Sequence, residues 1–414
     1  MIGFLSFFGM RSDASMRVAS LDARPVTSMV TRLSTCVVTR LSTCIVTCIV
    51  SLVAAQPSLA QANPLDSPTL PSFRFPLGQQ SPRLFDGGSA QEATIKNFPV
   101  SQGIAGVLMK LKPGGLRELH WHANAAEWAY VINGQMRITV IDPQGRSETK
   151  DFGPGDIWYF PRGHGHSLQG IGSEEATFIL VFDNGAFSDF ATFSISDWLA
   201  QTPPEVLAKN FGTSAATFRN FPKKEVYISQ GPVPGPPPTY AAPFTERVPP
   251  LTHKYSLGAQ KGELFSGGRF QMASQKEFPI STTMTGAIQT LKPGGLRELH
   301  WHPSANEWQY YISGHARMTV FGSNGRSKLE EFGPGDVGYV PQGYGHYIEN
   351  ASDTEECKTL VVLDSGNYEE ISLAEWMASN SPELLQTNFG VPKGIFESFR
   401  KSAPLMTDGK PDQK

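Results

Sequence analysis

A long internal duplication limits what this chain can fold into more than any other feature. Leu111–His122, reading Leu-Lys-Pro-Gly-Gly-Leu-Arg-Glu-Leu-His-Trp-His, recurs unchanged at Leu291–His302, an offset of 180 residues. The same offset relates Phe85 to Phe265, Phe98 to Phe278, Arg146 to Arg326 and Phe152–Asp156 to Phe332–Asp336. It falls to 178 by Trp198 and Trp376. Solenoid repeats run about 20–50 residues, so a period this long is a whole domain copied once. The expected organisation is an export segment over 1–62, a first domain over 63–221, a linker over 222–250 and a second domain over 251–414. Pro232, Pro234, Pro236, Pro237 and Pro238 make the linker extended and semi-rigid.

Each copy reads as all-β. Short alternating runs such as Met136–Ile141 and Ala316–Phe321 have the two-residue period of half-buried strands. Turn residues punctuate them at Pro113-Gly114-Gly115, Asn133-Gly134 and Gly153-Pro154-Gly155. Even spacing of strands and turns points to two sandwiches or barrels in tandem. A helical pattern closes each copy, near Ser196–Leu199 and Ser372–Trp376, with further helices starting at Pro203/Pro204 and Pro382.

His120 and His122 are two apart on a strand and share a face, with Trp121 opposite. Glu127 follows on a second alternating run, and His166 lies beyond Gly155, Pro161 and Gly163. The second copy supplies His300, His302, Glu307 and His346 at the same spacings. Six of the nine histidines fall in these two sets, which makes chance placement untenable. Three imidazoles and a carboxylate suit a first-row transition metal, and four protein ligands leave open positions of the kind catalysis needs. His164, His253 and His315 lack a histidine counterpart and read as ordinary residues.

The arrays Gly114-x5-His120-x-His122-x4-Glu127-x6-Gly134 and Gly155-x5-Pro161-x-Gly163-x2-His166 resemble the two cupin motifs, repeated at Gly294–Gly314 and Gly335–His346. The fold implied is a pair of jelly-roll cupin barrels. Arg-Glu-Leu-His-Trp-His, Glu127–Tyr130, Glu307–Gly314 and Gly335–Pro341 are similar to the bicupin oxalate decarboxylases. That resemblance covers roughly residues 80–400. It implies Mn2+ in both barrels, two per chain, with dioxygen as cofactor, oxalate as substrate, and formate and CO2 as products. It also implies a homo-oligomer, a trimer or hexamer. Arg117 and Arg297 would hold the distal carboxylate of oxalate, a task that suits a planar, permanently charged fork. Strict alternation turns Glu118, not Arg117, toward the ligands, so a bulge is expected after the Pro-Gly-Gly turn.

The chemistry implied is redox. Oxalate gives up an electron and a proton, CO2 leaves, and the electron comes back as a positioned acid returns a proton to the formyl carbon. In the family that acid is a Glu on a mobile lid reading Ser-Glu-Asn-Ser. Here the matching residues are Ser188-Asp189-Phe190-Ala191, so Asp189 takes the place of the acid on a side chain one methylene shorter. The second copy is three residues shorter between Tyr368 and Trp376 and has Val361 where the family carries a second Glu. Glu369 and Glu370 there are candidate substitutes for the acid, with a solvated helix start the favoured reading. An altered lid leaves oxalate oxidase, giving CO2 and hydrogen peroxide, as an alternative. A non-enzymatic manganese-binding bicupin is another.

Arg11, Arg17, Arg24, Arg32 and Arg40 precede an uncharged stretch from Leu41 to Ala55, and Ala60-Gln61-Ala62 fits a small-x-small cleavage site. That pattern implies a periplasmic or secreted protein, with Met16 and Met29 as alternative starts. The apolar stretch is short for a membrane span, so the mature chain is expected to have none. Three of the four cysteines lie in this segment, leaving Cys357 as a packing residue with no disulfide partner. A formal charge of -3 argues against nucleic-acid binding.

Overall fold

The computed structural model describes residues 63–236 and 248–408; the export segment and the linker residues 237–247 lie outside the described residues. Each copy forms two antiparallel sheets that face one another. In the first, the large sheet centres on Glu127–Asn133, Ala176–Phe182 and Ala105–Leu111, and the small sheet on Gly115–Trp121, Gly165–Gly170 and Met136–Ile141. The all-β, two-barrel architecture expected from the duplication is therefore present, with the short helices Ile195–Gln201, Pro204–Phe211, Leu373–Ala378 and Pro382–Phe389 closing the copies. Ser194 and Ser372 cap the first helix of each copy by accepting from Asp197 and Glu375 backbone N–H groups.

Burial explains why the two sheets differ in sequence. Met136–Ile141 buries alternate residues, so only one face of the small sheet meets a core. Ile157–Phe160 and most of Ala176–Phe182 are buried on both faces. One side fills the barrel. The other joins a core shared by both barrels, containing Trp128, Tyr130, Trp308 and Tyr339. At its centre Trp128 lies against Gly286 and Trp308 against Gly106, and a Cβ at either glycine would meet the indole at 1.9 or 2.2 Å.

The barrels also exchange strands. Arg74–Phe75, ahead of the first barrel, pairs with Val337–Val340 of the second. Lys254–Tyr255 pairs with Ile157–Phe160 of the first. Arg74 pairs with Asp336 at 2.8 Å across this exchange. Part of the region read as linker is also structured: Ile228–Gln230 adds to Gly115–Trp121, the strand that carries the first ligands. Cys357 is buried in the strand Cys357–Leu363, where burial pushes its thiol up to about 11. No helix among the described residues is long and apolar enough to cross a membrane.

Candidate metal centres

His120 and His122 lie at the end of Gly115–Trp121, Glu127 opens the next strand, and His166 sits on Gly165–Gly170 directly opposite His120. All four are buried, and their donor atoms lie within 4.8 Å of one another. His300, His302, Glu307 and His346 repeat the arrangement in the second barrel. In the first set Nε2 of each histidine and Oε2 of Glu127 have no hydrogen-bond partner although buried. Buried polar atoms are otherwise almost always paired, so four orphans converging on one point are the signature of an ion's ligand shell. Backbone carbonyls set two of the rings: His120 Nδ1 donates to Glu118 at 2.6 Å and His166 Nδ1 to His164 at 2.9 Å. Burial, reinforced by the neighbouring rings and Arg117, holds His120 and His122 well below the ordinary imidazole range, so they are neutral and able to ligate.

The second set is drawn tighter. Oε2 of Glu307 is 2.8 Å from His302 Nε2 and 3.3 Å from His346 Nε2. Burial by itself would raise Glu307, but His346 and His302 outweigh it and hold the group well below the usual carboxylate range. The groups orienting the glutamates differ between barrels. Trp158 Nε1 donates to Glu127 Oε1 at 2.6 Å, whereas Gln309 Nε2 donates to Glu307 Oε1 at 2.6 Å. The residue matching Trp158 is Gly338, which leaves room for Gln309 in place of Ala129. Partners of this kind typically carry 10–100-fold in metal affinity, so Trp158→Phe is expected to weaken the first centre by roughly that range and leave the second intact. Competitive chelation of the loaded protein, read by elemental analysis, checks it; unchanged affinity at both centres would refute it.

The expected bulge is present. Between His166 and Leu168, two apart, the opposing strand spends three positions, His120 to Arg117, and Arg297 to His300 does the same in the second copy. The extra residue turns Arg117 onto the ligand face. Its guanidinium is fully buried, with Nη2 2.9 Å from Thr192 Oγ1 and 3.3 Å from Asp189 Oδ1, while Nε and Nη1 have no partner.

Asp189 begins a single 3-10 turn, Asp189–Ala191, and is 1% exposed. It lies 3.7 Å from His122 Nε2, so the structure brings this lid acid to the ligands despite its short side chain. Tyr227 OH donates to its other oxygen at 2.5 Å, and the same ring lies under the Arg117 guanidinium, 4.0 Å from Cζ to centroid. Tyr227 escaped the sequence analysis because it lies in the stretch read as linker. The only local signal was the short β-branched and aromatic run Val226–Ile228 ahead of the prolines. Its φ of 56° is strained for a non-glycine residue, a conformation that costs about 1–3 kcal/mol and tends to persist at functional sites.

The second barrel requires a correction. Glu370 is not a solvated helix start. Its carboxylate pairs with Arg297, accepts from Tyr368 OH at 2.7 Å and lies 3.9 Å from His300 Nε2. Glu369 does stay at the rim, where its carboxylate accepts from Ser304 and its carbonyl from His302 Nδ1. Val361 lines the cavity with Gln289 and Tyr368. Both barrels thus hold an acid, an arginine and a tyrosine beside the ligands. The hydroxyl comes from Tyr227 in one and from Tyr368, the counterpart of Phe187, in the other.

Comparison with known proteins agrees with this geometry. The cupin family model matches residues 76–219 and 258–393. The oxalate decarboxylase of Bacillus subtilis is 42% identical over 336 residues, covering 81% of this chain and 86% of the relative. An oxalate decarboxylase of Arthroderma benhamiae is 34% identical over 397 residues, covering 84% and 89%. A solved structure of the Bacillus subtilis oxalate decarboxylase at pH 4.6 superposes with a TM-score of 0.78 at 41% identity, covering 83% of this chain and 90% of that one. Another, described for the Mn(II) centres of that enzyme, has a TM-score of 0.77 at 41% identity, covering 83% and 91%. With both cupin motifs duplicated, both ligand sets complete and full-length relatives at this identity, the chain belongs to the bicupin oxalate decarboxylase family.

Proposed function

We propose that the protein is a manganese-dependent oxalate decarboxylase that converts oxalate and a proton to formate and CO2, with its first barrel as the working site. The observation that carries this reading is Asp189, buried between Arg117, Tyr227 and the ligand His122. Two Mn2+ per chain would be held by His120, His122, Glu127 and His166 and by His300, His302, Glu307 and His346. Bound manganese, with dioxygen as cofactor, supplies the one-electron chemistry that gives the carbon–carbon bond of oxalate an electron sink.

The chain's own residues do the rest. Arg117 offers its free Nε and Nη1 to the distal carboxylate in a buried site. Asp189 is the acid placed to deliver the proton that replaces the departing CO2 on the formyl carbon. Tyr227 and Thr192 fix the acid and the arginine relative to each other. Phe190 closes the lid against Tyr227, 5.4 Å between centroids, and under Arg83, 4.2 Å from ring to Cζ. An apolar, latched lid favours protonation over loss of the intermediate to oxidation. Measuring formate, CO2 and hydrogen peroxide from oxalate by the purified protein tests the reading. Formate should dominate; peroxide in stoichiometric yield would make the protein an oxidase, and no turnover with both metals bound would make it a manganese-binding bicupin.

The mature protein is periplasmic or secreted in this reading, on the strength of the basic, apolar and small-residue pattern over 1–62. N-terminal sequencing of protein from the producing cell should start near residue 63; full-length protein recovered from the cytoplasm would refute export. A homo-oligomer, trimer or hexamer, is supported by the exposed apolar side chains of Trp198, Phe211, Trp376 and Phe389 on the closing helices.

A further inference from the structure

The first barrel has a histidine pair that its copy lacks. His253 begins the segment exchanged from the second barrel, and its carbonyl accepts from Tyr159 N–H at 3.3 Å. Phe73 makes the same contact with Tyr339 in the other barrel at 3.0 Å. His164 faces His253 as Tyr344 faces Phe73, with ring centroids 5.6 and 6.5 Å apart. Glu148 stands where the second copy has Lys328. The aromatic pair of one barrel is thus a histidine pair with a carboxylate at Nδ1 of His253 in the other.

The chemistry of that exchange is specific. His253 is 2% exposed, and its Nδ1 lies 3.2 Å from Glu148 Oε2. Burial by itself would raise Glu148, but hydrogen bonds from the His253 side chain and backbone and from Thr252 pull it down to about 2. The Glu148 carboxylate faces Nδ1, so the uncharged tautomer that donates to it has its lone pair on Nε2. That nitrogen is buried with no partner, and so is Nδ1 of His164. A carboxylate behind an imidazole whose far nitrogen is free is the arrangement that orients histidine toward a metal. The 5.6 Å ring separation lies within the 4.2–5.7 Å found among the histidines of the two ligand sets.

We propose that His164 and His253 form a third cation site, confined to the first barrel, for one imidazole-preferring divalent ion such as Zn2+ or Cu2+. Two imidazoles without a carboxylate in the ligand shell discriminate against Mn2+, which binds nitrogen sites more weakly than either ion. The half-buried ring of His164 gives access from solvent. Phe160 separates the site from the first centre by one ring, 4.3 Å from His166 and 6.1 Å from His253.

The test uses full-length protein with manganese in both centres. Zn2+ is added, free ion is removed by gel filtration, and zinc and manganese are counted by elemental analysis. The expected result is one zinc per chain with manganese unchanged. His164→Tyr and His253→Phe install the second barrel's own residues and should each abolish zinc uptake. Glu148→Gln should weaken it by roughly tenfold or more. No zinc uptake, zinc that replaces manganese one for one, or uptake unchanged in His164→Tyr would each overturn the proposal. Because His164 is only half-buried, that variant alone decides the matter if His253→Phe does not fold.

Discussion

Asp189→Ala is expected to lower formate production by roughly 10²–10⁴-fold, the range a positioned general acid contributes, with both metals still bound. Peroxide should rise as the unprotonated intermediate is diverted to oxidation. Glu370→Ala should cost far less, even though Glu370 meets Arg297 and Tyr368 much as Asp189 meets Arg117 and Tyr227. The difference lies in movement. A proton donor must reload from solvent after each turnover. Asp189 is separated from the paired residues Phe193–Ser194 by the rest of its turn, so the lid can lift without breaking the sheet. Glu370 directly precedes Ile371–Ser372, which pair with His300 and Trp301, and cannot swing out without undoing that pairing. Asp189→Glu restores the longer reach of the family acid and should raise the formate yield or leave it unchanged. Assays of formate and peroxide on the same samples check all three variants. Full activity in Asp189→Ala alongside loss in Glu370→Ala would move the working site to the second barrel.

His122→Ala and His302→Ala should each remove about half the manganese, because each deletes one ligand of a separate four-residue set. Their effects on turnover should diverge. His122→Ala should abolish formate production, since Arg117 and Asp189 act only on oxalate held at the first centre. His302→Ala should leave most of it. Elemental analysis beside formate production provides the measurement. Equal loss of turnover in both variants would show that the centres work as one unit.

The eight candidate ligands were legible because the duplication wrote each spacing twice, and a strand's two-residue period converts spacing into a shared face. The bulge at Arg117 was legible for a related reason: placing arginine and histidine three apart on one face of a strand requires an extra residue. Tyr227 and Glu370 were not legible. Tyr227 reaches Asp189 from 38 positions away, through a segment whose prolines hide the short strand beside it. Glu370 sits among residues that read equally well as a helix start, and only the pairing of Ile371 with Trp301 turns it inward. Nor did composition distinguish His253 from an ordinary histidine, because Glu148 meets it only through the exchanged strand.

Local periodicity and the repeat by themselves determined two all-β barrels, each with three imidazoles and a carboxylate on one inward face, because these follow from spacing along single strands. Tertiary structure alone decided how the barrels are joined, which tyrosine meets which acid, and whether Trp158 or Gln309 backs the ligand glutamate. The joining of the barrels rests on the strands exchanged between them and on Trp128 and Trp308 packing against Gly286 and Gly106. Tyr227 and Asp189 are 38 positions apart and Trp158 and Glu127 are 31 apart, so no spacing within one strand encodes those two contacts.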